Sequence, residues 1–276
     1  MRVDPTTIHR LPIRTAGFVG LTFALLAGYE AERAAAPEGP ARDDVTYKWM
    51  HRYGVNLLRL YGLEVTARGE HVESRQGRYP ARDARGRGRL FVMNHRSMLD
   101  IFVNLAFLEA NIVSRADLSR WPVIGLAARR VGTLFVNRSS KQSGAAVIHA
   151  MCEAVERGRA VMVYPEGTTF AGDEVRPFRP GVFLAAARSN AEIVPVGIAY
   201  DGDATTFRAD EDFVTHLARI SSMRRIRIGL TVGEPLRVEG EGESAVQVAK
   251  DLARERVQAL VHKARGLLAD GGGPPA

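Results

Sequence analysis

Short apolar runs that stop abruptly at polar or glycine-bearing turns recur along this chain, and most hand over to a segment with helical spacing. Leu90-Phe91-Val92-Met93 breaks off at Asn94-His95, and Met98, Leu99, Ile101, Phe102 and Leu105 then follow a helical period. Similar runs occupy residues 111–113, 132–136, 160–164 and 193–198. Residues 63–67 and 226–232 alternate instead, which predicts half-exposed strands. Pro195 argues that its own strand lies at an edge or is irregular. Helical patterns follow Trp121-Pro122, Ser139 and Gly181, and a long amphipathic helix is expected from Gly242 to Leu268. The pattern predicts an α/β fold, an open mixed sheet flanked by helices over residues 63–268, with a flexible tail at 269–276.

Residues 1–62 follow another pattern. Residues 16–28 are apolar apart from Thr22, with Arg10 and Arg14 before them and Glu30, Glu32 and Arg33 after. A helix of that length reaches about 20 Å, short of a hydrocarbon core of about 30 Å. The basic start, the short apolar centre and Ala34-Ala35-Ala36 also fit the outline of a signal peptide. The charged turn beyond the apolar run, and Pro37, argue for retention. From Val45 to Gly62, Lys48, Arg52 and Arg59 share one helical face, while Trp49, Met50, Tyr53, Leu57, Leu60 and Tyr61 cover the other. Such a helix either packs on a domain or lies in a membrane interface. The apolar helix hinged before it favours the second, a two-helix membrane-associating hairpin.

With 276 residues the chain can bury a full core as one large domain. Its formal charge of +7 suits an anionic partner, either phosphate head groups or nucleic acid. No zinc-finger spacing, RNP-like aromatic strand or long basic helix accompanies that charge, so no nucleic acid is expected. Cys152 is the single cysteine, which fits a reducing compartment. Arginines at 75, 78, 82, 85, 87 and 89 lie in a glycine-rich stretch, either a solvated loop or a lipid-facing patch.

The candidate chemistry starts at the exit of residues 90–93. Ser97 and Asp100 have the spacing of a capping box, so a helix begins there. On a continuous helix His95 and Asp100 would point about 140° apart. With His95 in the turn before the helix, its ring folds back over the first turn, where Asp100 projects. A carboxylate on one ring nitrogen then leaves the other as a general base. The bland alternative is a helix cap beside a surface histidine, since the chain has seven histidines and the spacing also arises by chance. Two further strand exits carry polar groups, Arg138 and Pro165-Glu166-Gly167-Thr168. In an open α/β sheet those exits form the edge where ligands bind. There is no G-x-S-x-G nucleophile turn, no G-x-x-x-x-G-K phosphate loop and no His/Cys spacing for a metal.

These blocks, in this order, resemble the glycerolipid acyltransferase family typified by 1-acylglycerol-3-phosphate O-acyltransferases. Asn94-His95-Arg96-Ser97-Met98-Leu99-Asp100 matches its N-H-x-S-x-x-D motif. Residues 132–138, Pro165-Glu166-Gly167-Thr168 and Val194-Pro195-Val196 match the second, third and fourth motifs. The resemblance covers about residues 60–235. It implies transfer of a fatty acyl group from acyl-CoA or acyl carrier protein to the free hydroxyl of a lysolipid, without a cofactor, at the cytoplasmic face of the cell membrane. It implies His95 as general base, Asp100 as its orienting partner, and Asn94, Ser97, Arg138, Glu166, Gly167, Thr168 and Arg179 around the acceptor.

One departure bears on the acceptor. Phosphatidate-forming members usually carry arginine after Glu-Gly-Thr, able to clamp phosphate in a forked geometry, whereas this chain has Thr169. Glu-Gly-Thr-Thr followed by Pro177-Phe178-Arg179 looks more like the lyso-ornithine lipid acyltransferase branch. Two readings of other classes stand beside an acyltransferase: a non-catalytic lipid-binding membrane protein, and a hydrolase directing the same base at water.

Overall fold

The computed structural model describes residues 9–74, 77–137, 141–207, 211 and 213–269. Two helices come first, α1 (Arg10–Ala35) and α2 (Pro40–Tyr61). The strands are β1 (Leu63–Arg68), β2 (Leu90–Met93), β3 (Asn111–Arg115), β4 (Leu134–Val136), β5 (Val161–Val163), β6 (Ile193–Tyr200) and β7 (Ile226–Val232). Between and after them run α3 (Leu99–Phe107), α4 (Ile124–Arg130), α5 (Lys141–Glu156), α6 (Gly181–Ser189), α7 (Phe213–Ser222) and α8 (Gly242–Ala269).

The described strands form one seven-stranded sheet in the order β1-β7-β6-β2-β5-β3-β4. All pairs are parallel except β6 with β7, so the sheet is mixed, as the pattern predicts. Each face carries its own core because successive residues of a strand point to opposite sides. Phe91 and Met93 join residues of α2 and α3 on one face. Leu90 and Val92 join α5, α6 and α8 on the other. Gly197 and Gly229 let α8 lie on the sheet, since a Cβ at either would stand 2.5 or 2.0 Å from the helix backbone.

Two strand expectations need correction. β6 is central and buried along its whole length, although Pro195 argued for an edge. Within a strand, N–H and C=O of one residue point to the same side. The Pro195 carbonyl accepts Gly233 N–H at 2.9 Å, just past the residues of β7 that pair with β6. Its missing N–H therefore faces a place where the ladder has already ended. β7 is buried rather than half-exposed, because it is paired on both sides and covered by α8.

The N-terminal segment also departs from expectation. α1 continues beyond the apolar run at both ends to 26 residues, about 39 Å. Among the described residues it is the one helix long and apolar enough to cross a membrane. It is also docked: the buried Arg14 donates to the carbonyls of Leu60 at 2.9 Å and Ser221 at 3.0 Å. The predicted basic face of α2 is partly paired, with Lys48 Nζ 2.5 Å from Glu32 and Arg52 over the Trp49 ring. Its other face belongs to the core of the sheet, where Tyr47, Met50, Leu57 and Tyr61 are buried. No core boundary falls at residue 62. Gly54 lets α2 press on α3, since a Cβ there would meet the backbone of Ala106 at 2.4 Å. The arginine-rich loop is tied inward: Arg78 pairs with Glu109, Arg82 with Asp44 and Arg89 with Glu192. Arg75 lies outside the described residues.

Candidate active site

β2, β5 and β6 run parallel, or in register with one another, and deliver their carboxyl ends to one edge. At the end of β2, Asn94 replaces a rung of the ladder with its side chain. Its Nδ2 donates to Ile198 O at 3.0 Å and its Oδ1 accepts Ile198 N–H at 2.9 Å. The main chain then turns, and His95 folds back onto Asp100 as the spacing predicts.

His95 Nδ1 lies 2.7 Å from Asp100 Oδ2. The same oxygen accepts the backbone N–H groups of Arg96 at 2.7 Å and Ser97 at 3.0 Å. Oδ1 accepts the Tyr200 hydroxyl at 2.5 Å. A carboxylate only accepts, so Nδ1 carries the proton and Nε2 is left as the basic nitrogen. Asp100 is fully buried, while the His95 side chain keeps 17% of its surface exposed. The imidazole stacks on Tyr164 with ring centroids 3.9 Å apart, and Asn104 holds the Tyr164 hydroxyl at 2.5 Å. Burial, followed by the Asp100 charge, pushes the phenols of Tyr164 and Tyr200 well above their ordinary range. Both remain neutral, and Tyr200 remains a donor.

The capping box forms in one half. Asp100 reaches back to Ser97 N–H, and Ser97 Oγ takes Leu99 N–H at 3.3 Å, so the helix starts two residues after Ser97. Glu166 is buried, with both oxygens taken up by main-chain groups. Its Oε2 accepts His95 N–H at 2.6 Å and its Oε1 accepts Arg176 N–H at 2.9 Å, so it joins two loops. Burial pushes its carboxyl above the usual range, against these two hydrogen bonds. Gly167, at φ +82°, leaves room for the Arg179 guanidinium, which a Cβ would meet at 2.5 Å. Thr168 and Arg179 are exposed, whereas Asn94 and Ser97 are buried. Arg138 lies outside the described residues, as does Ser139.

Beside this polar corner, an apolar cavity of about 160 Å³ opens between α1, α2, α3 and α4. Met98 and Ile101, three and six positions after His95, line one part of it, and Leu25, Tyr53 and Ala128 line others.

The sequence model of the acyltransferase family matches residues 64–199, the span that holds His95, Asp100, Tyr164 and Glu166. A lyso-ornithine lipid O-acyltransferase of Pseudomonas aeruginosa is 30% identical over 91% of this chain and 92% of its own length. A 1-acyl-sn-glycerol-3-phosphate acyltransferase of Neisseria gonorrhoeae is 31% identical over 63% of this chain and 69% of its own. The chain belongs to the acyltransferase family. The fold agrees: a 1-acyl-sn-glycerophosphate acyltransferase from Thermotoga maritima superposes with a TM-score of 0.67 over 94% of both chains, at 17% identity.

Within this acyltransferase, several residues of the corner escape a reading of the sequence. Tyr200 ends an apolar strand, and the hydroxyl on its last residue is the one local sign of a partner. Tyr164 stands directly before Pro165-Glu166, close enough to the third motif to have been included. Arg96, 2% exposed, pairs with Asp173 at 2.7 Å, and Arg265 of α8 holds the same carboxylate at 2.6 Å. Nothing local marks that trio, which joins three distant segments.

Proposed function

We propose that this acyltransferase moves a fatty acyl group from an acyl thioester, acyl-CoA or acyl carrier protein, to the free hydroxyl of a lysolipid, with His95 as general base. The observation that carries the proposal is a fixed imidazole, 2.7 Å from a fully buried aspartate, on the turn before a helix whose Met98 and Ile101 line an apolar cavity. An alcohol is too weak an acid to ionise near neutral pH, so its proton leaves as its oxygen attacks. His95 Nε2 takes that proton while the oxygen adds to the thioester carbonyl. As the C–S bond breaks, the imidazolium returns the proton to the departing thiolate. Asp100 supports the transient cation and stays ionised. The thioester is already activated, so the proposal includes no metal or cofactor. In the cavity each buried methylene of an acyl chain contributes about 0.8 kcal/mol.

The P. aeruginosa relative, which this chain matches along nearly its full length, and Thr169 in the place of an arginine support lyso-ornithine lipid as acceptor over 1-acylglycerol-3-phosphate. Exposed Arg179, beside Gly167, supplies a cation for the head-group carboxylate of such an acceptor. The proposal places α1 against the cytoplasmic face of the cell membrane, where its exposed Ile13 and Phe23 meet lipid. Deleting residues 1–62 would strip core residues from α2, so Ile13→Glu with Phe23→Glu is the cleaner test, and it should release the protein from vesicles.

The deciding experiment supplies purified protein with labelled acyl thioester and each lysolipid in turn. Diacyl product from wild type, lost in His95→Ala, is expected. Full turnover by His95→Ala sinks the base. Vesicle binding without any turnover by wild type indicates a lipid-binding protein, and free fatty acid released without acceptor indicates a hydrolase.

A further inference from the structure

We propose that His216 is a positioning residue for acyl transfer, acting through Ser97 on the turn that carries His95 and Asp100. The inference rests on the general-base reading above. His216 lies on α7, 119 positions from Ser97, and its ring is fully buried. Its Nε2 is 3.1 Å from Ser97 Oγ, and its Nδ1 is 3.1 Å from Glu211 Oε2.

The direction of these hydrogen bonds follows from the groups around the ring. Arg219 holds both oxygens of Glu211 at 2.8 Å, so Glu211 is an acceptor. Arg219 Nη2 also approaches His216 Nδ1 at 3.0 Å, yet its two hydrogens are already directed at Glu211 and at Thr206 O, each 2.8 Å away. Nδ1 therefore carries the proton and gives it to Glu211. Nε2 is left as an acceptor, and Ser97 donates its hydroxyl to it. Burial pushes the imidazole pKa down, which keeps this neutral arrangement, and the Phe207 ring packs on it at 4.6 Å.

Ser97 is held from both sides. Its hydroxyl points to His216, its Oγ accepts Leu99 N–H, and its own N–H goes to Asp100. Rotation of that hydroxyl would loosen the first turn of α3, and Asp100 with it. Glu211, His216 and Ser97 have the order of a nucleophilic triad. Ser97, however, has no exposed surface, so the relay orients and does not attack.

Two substitutions separate the two ends of the ring. Gln at position 216 keeps a polar group near the Nε2 position, whereas Asn keeps one near Nδ1 and leaves Ser97 without its partner. Turnover of a long-chain acyl thioester with lysolipid is measured on the full chain, together with melting temperature. His216→Asn should lose about tenfold in kcat with KM within about twofold, the mark of a misplaced base. His216→Gln should stay within about threefold of wild type. Ser97→Ala, which also removes the acceptor of Leu99 N–H, should lose at least as much as His216→Asn, and the double variant should be no worse than Ser97→Ala alone. Equal losses in the Asn and Gln variants, additive losses, or a wild-type rate in Ser97→Ala would overturn the relay. If His216→Asn does not fold, the Ser97→Ala rate alone decides. Full turnover in His95→Ala is a different result, which removes the base and the relay together.

Discussion

The start of α3 stands between two unlike regions, with Asp100 in one and Met98 and Ile101 in the other. On one side is a polar corner in which a fully buried carboxylate accepts four hydrogen bonds of 2.5 to 3.0 Å. On the other is a cavity whose walls, from Phe18 on α1 to Val131 beyond α4, are mostly hydrocarbon. Hydrogen bonds are directional and weaken steeply with misalignment, whereas apolar attraction is non-directional and scales with area. In the proposed reaction the corner governs whether transfer proceeds, and the cavity governs which chain is accepted.

The largest expected effect breaks the corner itself. His95→Ala removes the base and should lower kcat about 10³-fold with little change in KM, in an assay of diacyl product. Filling the other side should be selective instead. Ala128→Trp projects into the cavity and should cut turnover of a sixteen-carbon thioester about thirtyfold, the equivalent of two or three methylenes left unburied, while an eight-carbon one is nearly unaffected. A uniform loss across chain lengths would show that this cavity does not hold the acyl chain.

A smaller effect sharpens the distinction. Tyr200→Phe deletes one charge-assisted hydrogen bond to Asp100 and should cost about tenfold in kcat, with chain-length preference unchanged. The smallest concerns stability. The Arg265 hydrogen bonds, and then Arg96, hold the Asp173 carboxyl below its usual range. A depressed pKa stabilises the fold above the unfolded value of about 4, and that contribution is lost as pH falls through the lower folded value. Asp173→Asn should therefore melt about 5 °C lower at pH 7, from a loss of roughly 2 kcal/mol. The gap should close in strongly acidic buffer, and a gap independent of pH would show that the charge is not what Asp173 contributes.

The same contrast explains what the sequence disclosed. His95, Ser97 and Asp100 lie within six residues, so a turn before the helix is enough to bring the ring to the carboxylate. Strand positions were legible because each run is bounded by turn residues. Pro195 misled because its tolerance depends on where β7 stops pairing, a fact of the neighbouring strand. Residues 226–232 misled because their arginine-bearing alternation gives no sign of pairing on both sides. Glu166 was placed correctly at the strand exit but its partners are peptide groups, which side-chain patterns cannot announce. His216 and Tyr200 reach the corner from a hundred or more residues away, through folding alone.

Asn94 has a consequence of its own. A side-chain amide carries the same donor and acceptor as a peptide unit, so at this position the sheet is completed by a branch rather than by the trunk of the chain. The trunk is thereby at liberty to veer off one step early, carrying the imidazole out over the rim while the strands beneath stay zipped. Aspartate at this place has the same outline yet no hydrogen to offer, and leucine has neither half of the bargain.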